Sequence, residues 1–312
     1  MTLGILMKII CSKCNNPAVT YIRYNGTHLC KDHFIQYLEK RVKKEINKQG
    51  KLQNNTKIGI AVSGGKDSIV VLHLINKIFS KRKNIEMIVL TIDEGIKNYR
   101  NNSINYVFEN SKKLDIEYKI ISFKKIIGKT MDEIAHSEND IGYCSYCGVF
   151  RRLCLNNISK KLKISKLIMG HNLDDMSQSI MMNFVNGDIK KLARLGPHMK
   201  IQPGLVPRMM PLRLIPEKEI TLYALLQKIS YHDGECPYAI NAYRGVFRDI
   251  INTLEYKNPG TRHSIIKSYD NIKNLLTKSY PPTELNSCIR CTEPTSQEIC
   301  KVCTLKSKLK IL

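Results

Sequence analysis

Ile58-Gly59-Ile60-Ala61-Val62 runs directly into Ser63-Gly64-Gly65-Lys66-Asp67-Ser68, and this junction decides the fold. The apolar run reads as a buried strand, and the stretch from Ser68 to Phe79 reads as the helix it feeds. Between them, two glycines let the backbone turn sharply and bring its N–H groups near an anion. The dipole of the following helix points at the same place. Lys66 adds a full positive charge, and Ser63 and Ser68 add hydroxyl donors. Ala61 and Val62 lead into what is therefore a phosphate cradle. It is not the Walker A pattern, which needs four residues between its first glycine and Gly-Lys.

The alternation continues outward from this junction. Strands are predicted over Lys57–Val62, Glu86–Ile92, Tyr118–Phe123 and Lys166–Met169, with helices near Ser68–Phe79, Tyr99–Leu114 and Phe150–Leu162. Such alternation predicts an α/β fold with a doubly wound parallel sheet, binding ligands outside the carboxyl ends of its strands. Two more strand ends carry polar residues. Thr91-Ile92-Asp93-Glu94-Gly95 ends the second strand, where an adenosine would lie, with Asp93 as its candidate contact. Gly170-His171-Asn172-Leu173-Asp174-Asp175 opens a later helix, and the pair Asp174 and Asp175 can hold magnesium or position a substrate.

Lys and Arg number 50 against 27 acids, a formal charge of +23. Richness in Lys, Ile and Asn explains Lys standing for Arg, but not that surplus, which favours a polyanionic partner, nucleic acid first. No apolar run approaches the roughly 18 residues of a membrane span, and the opening MTLGILMKII, where Met7 is a candidate start, lacks a cleavage site. The expectation is a cytoplasmic protein with no membrane contact.

Eleven cysteines without a secretory signal point to metals or catalysis rather than disulfides. Cys11 and Cys14, then fifteen residues, then Cys30 and His33, form two knuckles fit for one tetrahedral zinc. Cys288, Cys291, Cys300 and Cys303 form a second zinc-like group at the other end. Five segments result: a zinc finger over 1–34, a basic helix (Phe34–Lys48) and linker over 35–55, the nucleotide domain over 56–220, a helical extension over 221–284 and a four-Cys ribbon over 285–312.

Cys144, Cys147 and Cys236 remain, with Cys154 expected as a buried core residue. Spacing leaves several readings of the three open. They are a third zinc completed by His136 or His232, a persulfide or disulfide pair, and an iron–sulfur cluster with one open iron. His136-Ser-Glu138 before Cys144 echoes zinc deaminases, but no proline precedes Cys144 and deamination needs no ATP loop.

The phosphate cradle resembles the PP-loop, SGGxDS, of ATP pyrophosphatases, which adenylate a substrate and release pyrophosphate. The ordered motifs CxxC…CxxH, SGGKDS, CSYCGVFRR, GHNLDD, NGDIKKLARLGP, PRMMPLRLIPEKEI, GECPYA and the closing four-Cys ribbon resemble the tRNA 2-thiouridine synthetases of archaea and eukaryotes over nearly the whole chain. The resemblance implies structural zinc in both terminal modules and a [4Fe–4S] cluster on Cys144, Cys147 and Cys236. It implies ATP and Mg2+ at the PP-loop, adenylation of the C2 oxygen of a tRNA uridine and attack by hydrosulfide with release of AMP. It further implies a homodimer, with free sulfide or a ubiquitin-like thiocarboxylate protein as sulfur source. Lys66 and Arg151 are the candidates to steady the developing oxyanion.

Cys147-Gly-Val-Phe-Arg151-Arg152 resembles the branch acting on the anticodon wobble uridine. The branch acting on the T-loop uridine usually has Lys where this chain has Arg151. The rivals are thiolation of that T-loop uridine, another AMP-forming enzyme such as a lysidine synthetase, and a zinc RNA-binding protein without catalysis.

Overall fold

The computed structural model describes residues 9–50, 52–53, 55–137, 142–197, 202–239, 243–282 and 284–311; Met7 and Glu138 lie outside them. The first module is a small hairpin, β1 (Thr20–Ile22) with β2 (Thr27–Leu29), followed by α1 (Lys31–Lys48). Phe34, Leu38, Val42 and Ile46 recur at helical spacing and are the buried stripe of α1, which leaves its lysines outward.

The main body alternates as expected. It runs β3 (Thr56–Ala61), α2 (Lys66–Phe79), β4 (Ile85–Asp93), α3 (Arg100–Lys113) and β5 (Glu117–Ser122). Two short helices, α4 (Phe123–Ile127) and α5 (Met131–Ala135), lead to α6 (Tyr143–Lys161), β6 (Lys166–Ile168), α7 (Leu173–Val185) and α8 (Ile189–Ala193). The sheet closes with β7 (Arg208–Met209) and is parallel throughout, in the order β5-β4-β3-β6-β7. β3 is central and buried on both faces, and the apolar residues of α2 are buried nearly all round. From β3 the chain winds outward to β4 and β5, then returns to the other side at β6. The direction reverses between β3 and β6, the place where an open α/β sheet leaves a crevice for ligands.

Two differences from expectation matter. β7 is a fifth strand that two residues inside a proline-rich segment do not announce. α6 begins at Tyr143 rather than near Phe150, so Cys144 and Cys147, expected between a loop and that helix, sit on its first turns. After α9 (Glu217–Leu226) and a 3₁₀ turn at Pro237–Ala239 come α10 (Arg244–Lys257) and α11 (Thr261–Ser279), both packed on α7. The last module pairs β8 (Asn286–Ser287) with β9 (Pro294–Thr295) and ends in α12 (Lys301–Lys308). Leu305 of α12 and Leu309 beyond it are buried in the same apolar cluster as Phe150 and Cys154 of α6. Among the described residues no helix is long and apolar enough to cross a membrane.

Candidate active site

A cleft of about 320 Å³ opens at the crevice between β3 and β6. Ala61, Val62, Ser63, Gly65, Lys66, Asp67 and Ser68 line it. Gly64 does not, yet the loop depends on it. Its φ is +94°, and a Cβ there would lie 2.1 Å from the Ser103 carbonyl oxygen. Ser68 Oγ donates to the Gly65 carbonyl (2.8 Å) and accepts from the Ser63 N–H (3.1 Å), so this hydroxyl shapes the loop. The His232 N–H closes the other side on the Gly64 carbonyl at 2.9 Å. Lys66 Nζ is paired with Glu217 at 2.7 Å.

At the end of β4 the structure selects a different acid from the one expected. Asp93 accepts from the Gly95 N–H (2.9 Å), shaping its own turn, and does not line the cleft. Its neighbour Glu94 does, and it is 3% exposed. One Glu94 oxygen meets Arg100 Nε at 2.6 Å and the other meets Arg151 Nη2 at 2.8 Å. Arg100 also donates to the carbonyls of Ile92 and Ser63, binding the second strand end to the phosphate loop. Arg151 Nη2 reaches Cys147 Sγ at 3.3 Å. Burial disfavours the Arg151 charge, but Glu94 and Cys147 outweigh it and raise the guanidinium above an ordinary arginine. No sequence pattern marks Glu94 or Arg100; both emerge only when the strand end and α3 are placed together.

The third strand end separates its two carboxylates. Gly170 lets this loop press against α2, since a Cβ there would be 3.1 Å from the Ser68 backbone. Asp174 faces away from the cleft, accepts from the Glu217 N–H (2.8 Å) at the start of α9 and is ion-paired with Arg262 at 2.7 Å. Asp175 lines the cleft opposite Arg244, at 3.3 Å. Asn172 caps α7 and donates to Asp67 Oδ2 at 3.1 Å, joining the two loops. Asp67 Oδ1 is buried without a partner. Burial first, then the charges of Asp175 and Glu217, push the Asp67 carboxyl up to about 7 against the pull of Lys66. A buried, half-paired carboxylate beside a second one is the donor set a hard divalent cation takes.

Next to the cleft stand the three central cysteines. Cys144 is exposed and its thiol faces the Tyr238 carbonyl at 3.8 Å. Cys147 and Cys236 are half-buried and close enough to influence each other's charge. Burial raises both thiols. The expected fourth ligands stay away: His136 Nδ1 lies against the Asp132 carbonyl (2.6 Å), and the ring of His232 packs on Tyr99. Among the described residues the three sulfurs are not drawn into a group tight enough for one ion. A single tetrahedral zinc, at about 2.3 Å from each sulfur, needs such a group. A cluster that spans several irons takes the wider triangle. Cys154 is fully buried among apolar side chains, its thiol pushed up to about 12 by that burial.

The terminal groups are tight. The ligand atoms of Cys11, Cys14, Cys30 and His33 lie within 4.8 Å of one another, as do those of Cys288, Cys291, Cys300 and Cys303. His33 presents Nδ1, at 3.4 Å from the sulfurs of Cys11 and Cys30. Backbone N–H groups of Cys300 and Arg290 donate to Cys288 and bring its thiol down to about 6. At Cys11, donors from Cys30 and Lys13 overcome burial and give about 6 as well. Thiolates held by N–H donors in S₃N and S₄ groups suit zinc.

Fold and cleft define a PP-loop protein, and a family model described as a PP-loop domain matches residues 36–254. A second, described as the N-terminal LIM domain of the 2-thiouridine synthetase TtuA, matches residues 10–35. The chain is 38% identical to the tRNA 2-thiolation protein NcsA of Haloferax volcanii, covering 95% of this chain and 97% of the relative. It is 36% identical to the cytoplasmic tRNA 2-thiolation protein 1 of Xenopus laevis, covering 96% and 88%. Its structure is similar to the U34-tRNA thiolase NcsA of Methanococcus maripaludis, solved with its [4Fe–4S] cluster, at a TM-score of 0.85 and 36% identity over 98% of both chains. The chain belongs to the tRNA 2-thiolation protein family.

Proposed function

We propose that this protein is an ATP-dependent tRNA sulfurtransferase that converts the anticodon wobble uridine to 2-thiouridine. The observation that carries this reading is the unbroken path from the phosphate loop through Arg100, Glu94 and Arg151 to Cys147. It couples a nucleotide cleft to a sulfur-rich site, and the relatives are named for tRNA thiolation.

In this reading the loop N–H groups and Lys66, released from Glu217, take the phosphates of ATP, and the apolar wall of Leu90, Ile92, Leu155 and Met169 takes the adenine. Asp67 and Asp175 would hold Mg2+, Asp67 as its carboxylate. Asp174 acts at one remove, by fixing Glu217 and α9. The uridine C2 oxygen attacks the α-phosphorus and pyrophosphate departs; the N3 proton leaves as the adenylate forms. Arg151 stabilises the developing negative charge, fixed in place by Glu94. Hydrosulfide adds at C2, the C2–O bond breaks, AMP leaves with that oxygen, and the proton passes from sulfur to N3 to give the thiocarbonyl. Cys144, Cys147 and Cys236 would hold a [4Fe–4S] cluster, which supplies a Lewis-acidic iron with a free position for a sulfur anion.

The same reading places zinc in both terminal groups, tRNA phosphates on the basic face of α1, and free sulfide or a ubiquitin-like thiocarboxylate protein as sulfur source. It places the protein in the cytoplasm as a homodimer. Anaerobic protein, ATP, sulfide and an unmodified tRNA transcript test it by mass spectrometry of the nucleosides. The expected result is 2-thiouridine that is lost when the wobble uridine is replaced by cytidine, and a Cys144→Ala variant with at least a hundredfold less product and depleted iron. Full activity of that variant, or thiolation elsewhere in the tRNA, overturns the assignment.

A further inference from the structure

Two of the three central cysteines are carried by α6, a helix anchored by the buried Tyr146 and Phe150 and joined to the phosphate loop through Arg151, Glu94 and Arg100. The third is not. Cys236 follows Asp233, Gly234 and Glu235, all exposed, and precedes the 3₁₀ turn Pro237–Ala239, so no helix or strand holds its thiol in place. Its position is set by the residues on either side.

Downstream the anchor is Tyr238, whose hydroxyl donates to Asp132 of α5 at 2.7 Å and whose ring meets that of Tyr143 at 5.5 Å. Upstream it is His232. Its N–H donates to the Gly64 carbonyl at 2.9 Å and it bridges Gly65 in parallel, so the segment lies against the phosphate loop like a scrap of strand. Its ring meets Tyr99 edge to face, 5.3 Å between centroids, and lies 6.1 Å from Tyr106. Tyr99, Ser103 and Tyr106 fall on one face of α3. Ser103 is the residue whose carbonyl leaves Gly64 no room for a Cβ. One face of α3 therefore backs the phosphate loop and the histidine together. Asn110 of the same helix donates to the Ser230 carbonyl at 3.0 Å. Gly234 is part of the seat: its backbone is not left-handed, but a Cβ there would stand 2.6 Å from His232 Cε1.

We infer that His232 is a positioning residue: its backbone bond to the phosphate loop and its ring on α3 set where the Cys236 sulfur stands relative to the nucleotide. This rests on the tRNA-thiolase reading, in which that sulfur would hold a cluster beside an adenylated uridine. Sulfur must reach the carbon that bears the adenylate oxygen, so the two sites need one fixed spacing. α6 ties two of the sulfurs to the loop through side chains, and His232 ties the third through the backbone. With the ring unseated, the segment would rest against Gly64 on one hydrogen bond alone. A nucleotide that orders Gly64 and Gly65 therefore steadies Cys236 as well, and the linkage runs both ways.

Release of iron from the anaerobic holoprotein to a chelator, with and without a non-hydrolysable ATP analogue, tests it. Affinity for the analogue and melting temperature are measured on the same proteins. In the wild type the analogue is expected to slow release about fivefold. His232→Ala should release iron about tenfold faster and lose the protection, while its affinity for the analogue stays near the wild-type value. His232→Phe, which keeps a ring and the backbone N–H, should restore both rate and protection. Gly234→Ala, which crowds the ring and deletes nothing, should also lose the protection, and it decides the matter if His232→Ala does not fold. Equal protection of the alanine variants and the wild type, or no protection of the wild type, overturns the tie. So does a His232→Phe variant no better than alanine, or a melting temperature lowered by several degrees together with lost nucleotide affinity. A wild-type protein that takes up no iron would overturn the cluster reading itself.

Discussion

At each end of the chain four ligands converge within 4.8 Å of one another, mostly buried; in the middle three cysteines stand further apart, and Cys144 is exposed. The local backbone follows the same division. In each terminal group N–H donors bring one thiol, Cys11 or Cys288, down to about 6, while Cys14, Cys300 and Cys303 are raised. In the central group burial raises Cys147 and Cys236, and the nearest positive charge, Arg151, is shared with Glu94. Four ligands that close on one point are the pattern of a structural metal site, and a more open set of three beside a nucleotide cleft is not.

This contrast predicts which cysteines matter for folding. Cys288→Ser should remove a metal ligand that the ribbon has no core to replace, costing roughly 5 kcal/mol or more, whereas Cys144→Ser should cost about 0.5 kcal/mol or less. Thermal melts of the two variants check it, and equal losses would erase the distinction. A smaller effect is expected inside the site. Glu94→Gln leaves the buried Arg100 without its counter-charge and should cost about 3 kcal/mol, read from denaturant unfolding. A change below 1 kcal/mol would show that the carboxylate is not a shared counter-ion.

The smallest effect concerns how the first module is seated. Arg41 of α1 donates to Tyr24 (2.7 Å) and Glu219 (2.6 Å), and His263 of α11 packs on the Tyr24 ring. Burial and then Arg41 push His263 down to about 4. Its pKa is lowered on folding, so the stability this neutral imidazole gives is present above the ordinary histidine value. It is lost as pH falls from about 6.5 toward 4, on the order of 2 kcal/mol after allowing for partial exposure. His263→Phe should flatten that part of the stability–pH curve; an identical slope would remove His263 from the account.

Much of this was legible in the residues alone. β3, the PP-loop and α2 announce themselves because a buried strand, two glycines and an apolar helix are local patterns. Both terminal metal groups do so because their ligands are near in sequence. The rest depends on long-range placement. Asp93 and Glu94 are indistinguishable until the turn after β4 directs one toward its own backbone and the other toward Arg100. Asp174 and Asp175 are likewise separated only by the direction of α7, and β7 exists only because β6 offers it an edge. The early start of α6 is hidden by Gly148, whose low helix propensity suggests a loop, yet the turn is held by Tyr146, which is 1% exposed.

The two-sided carboxylate of Glu94 has a consequence for anyone who would refit this scaffold. A different cysteine array cannot be grafted onto α6 without re-solving the phosphate loop, because Arg151 and Arg100 hold opposite ends of the same acid. The two chemistries are wired as one part, and a designer would have to replace them together.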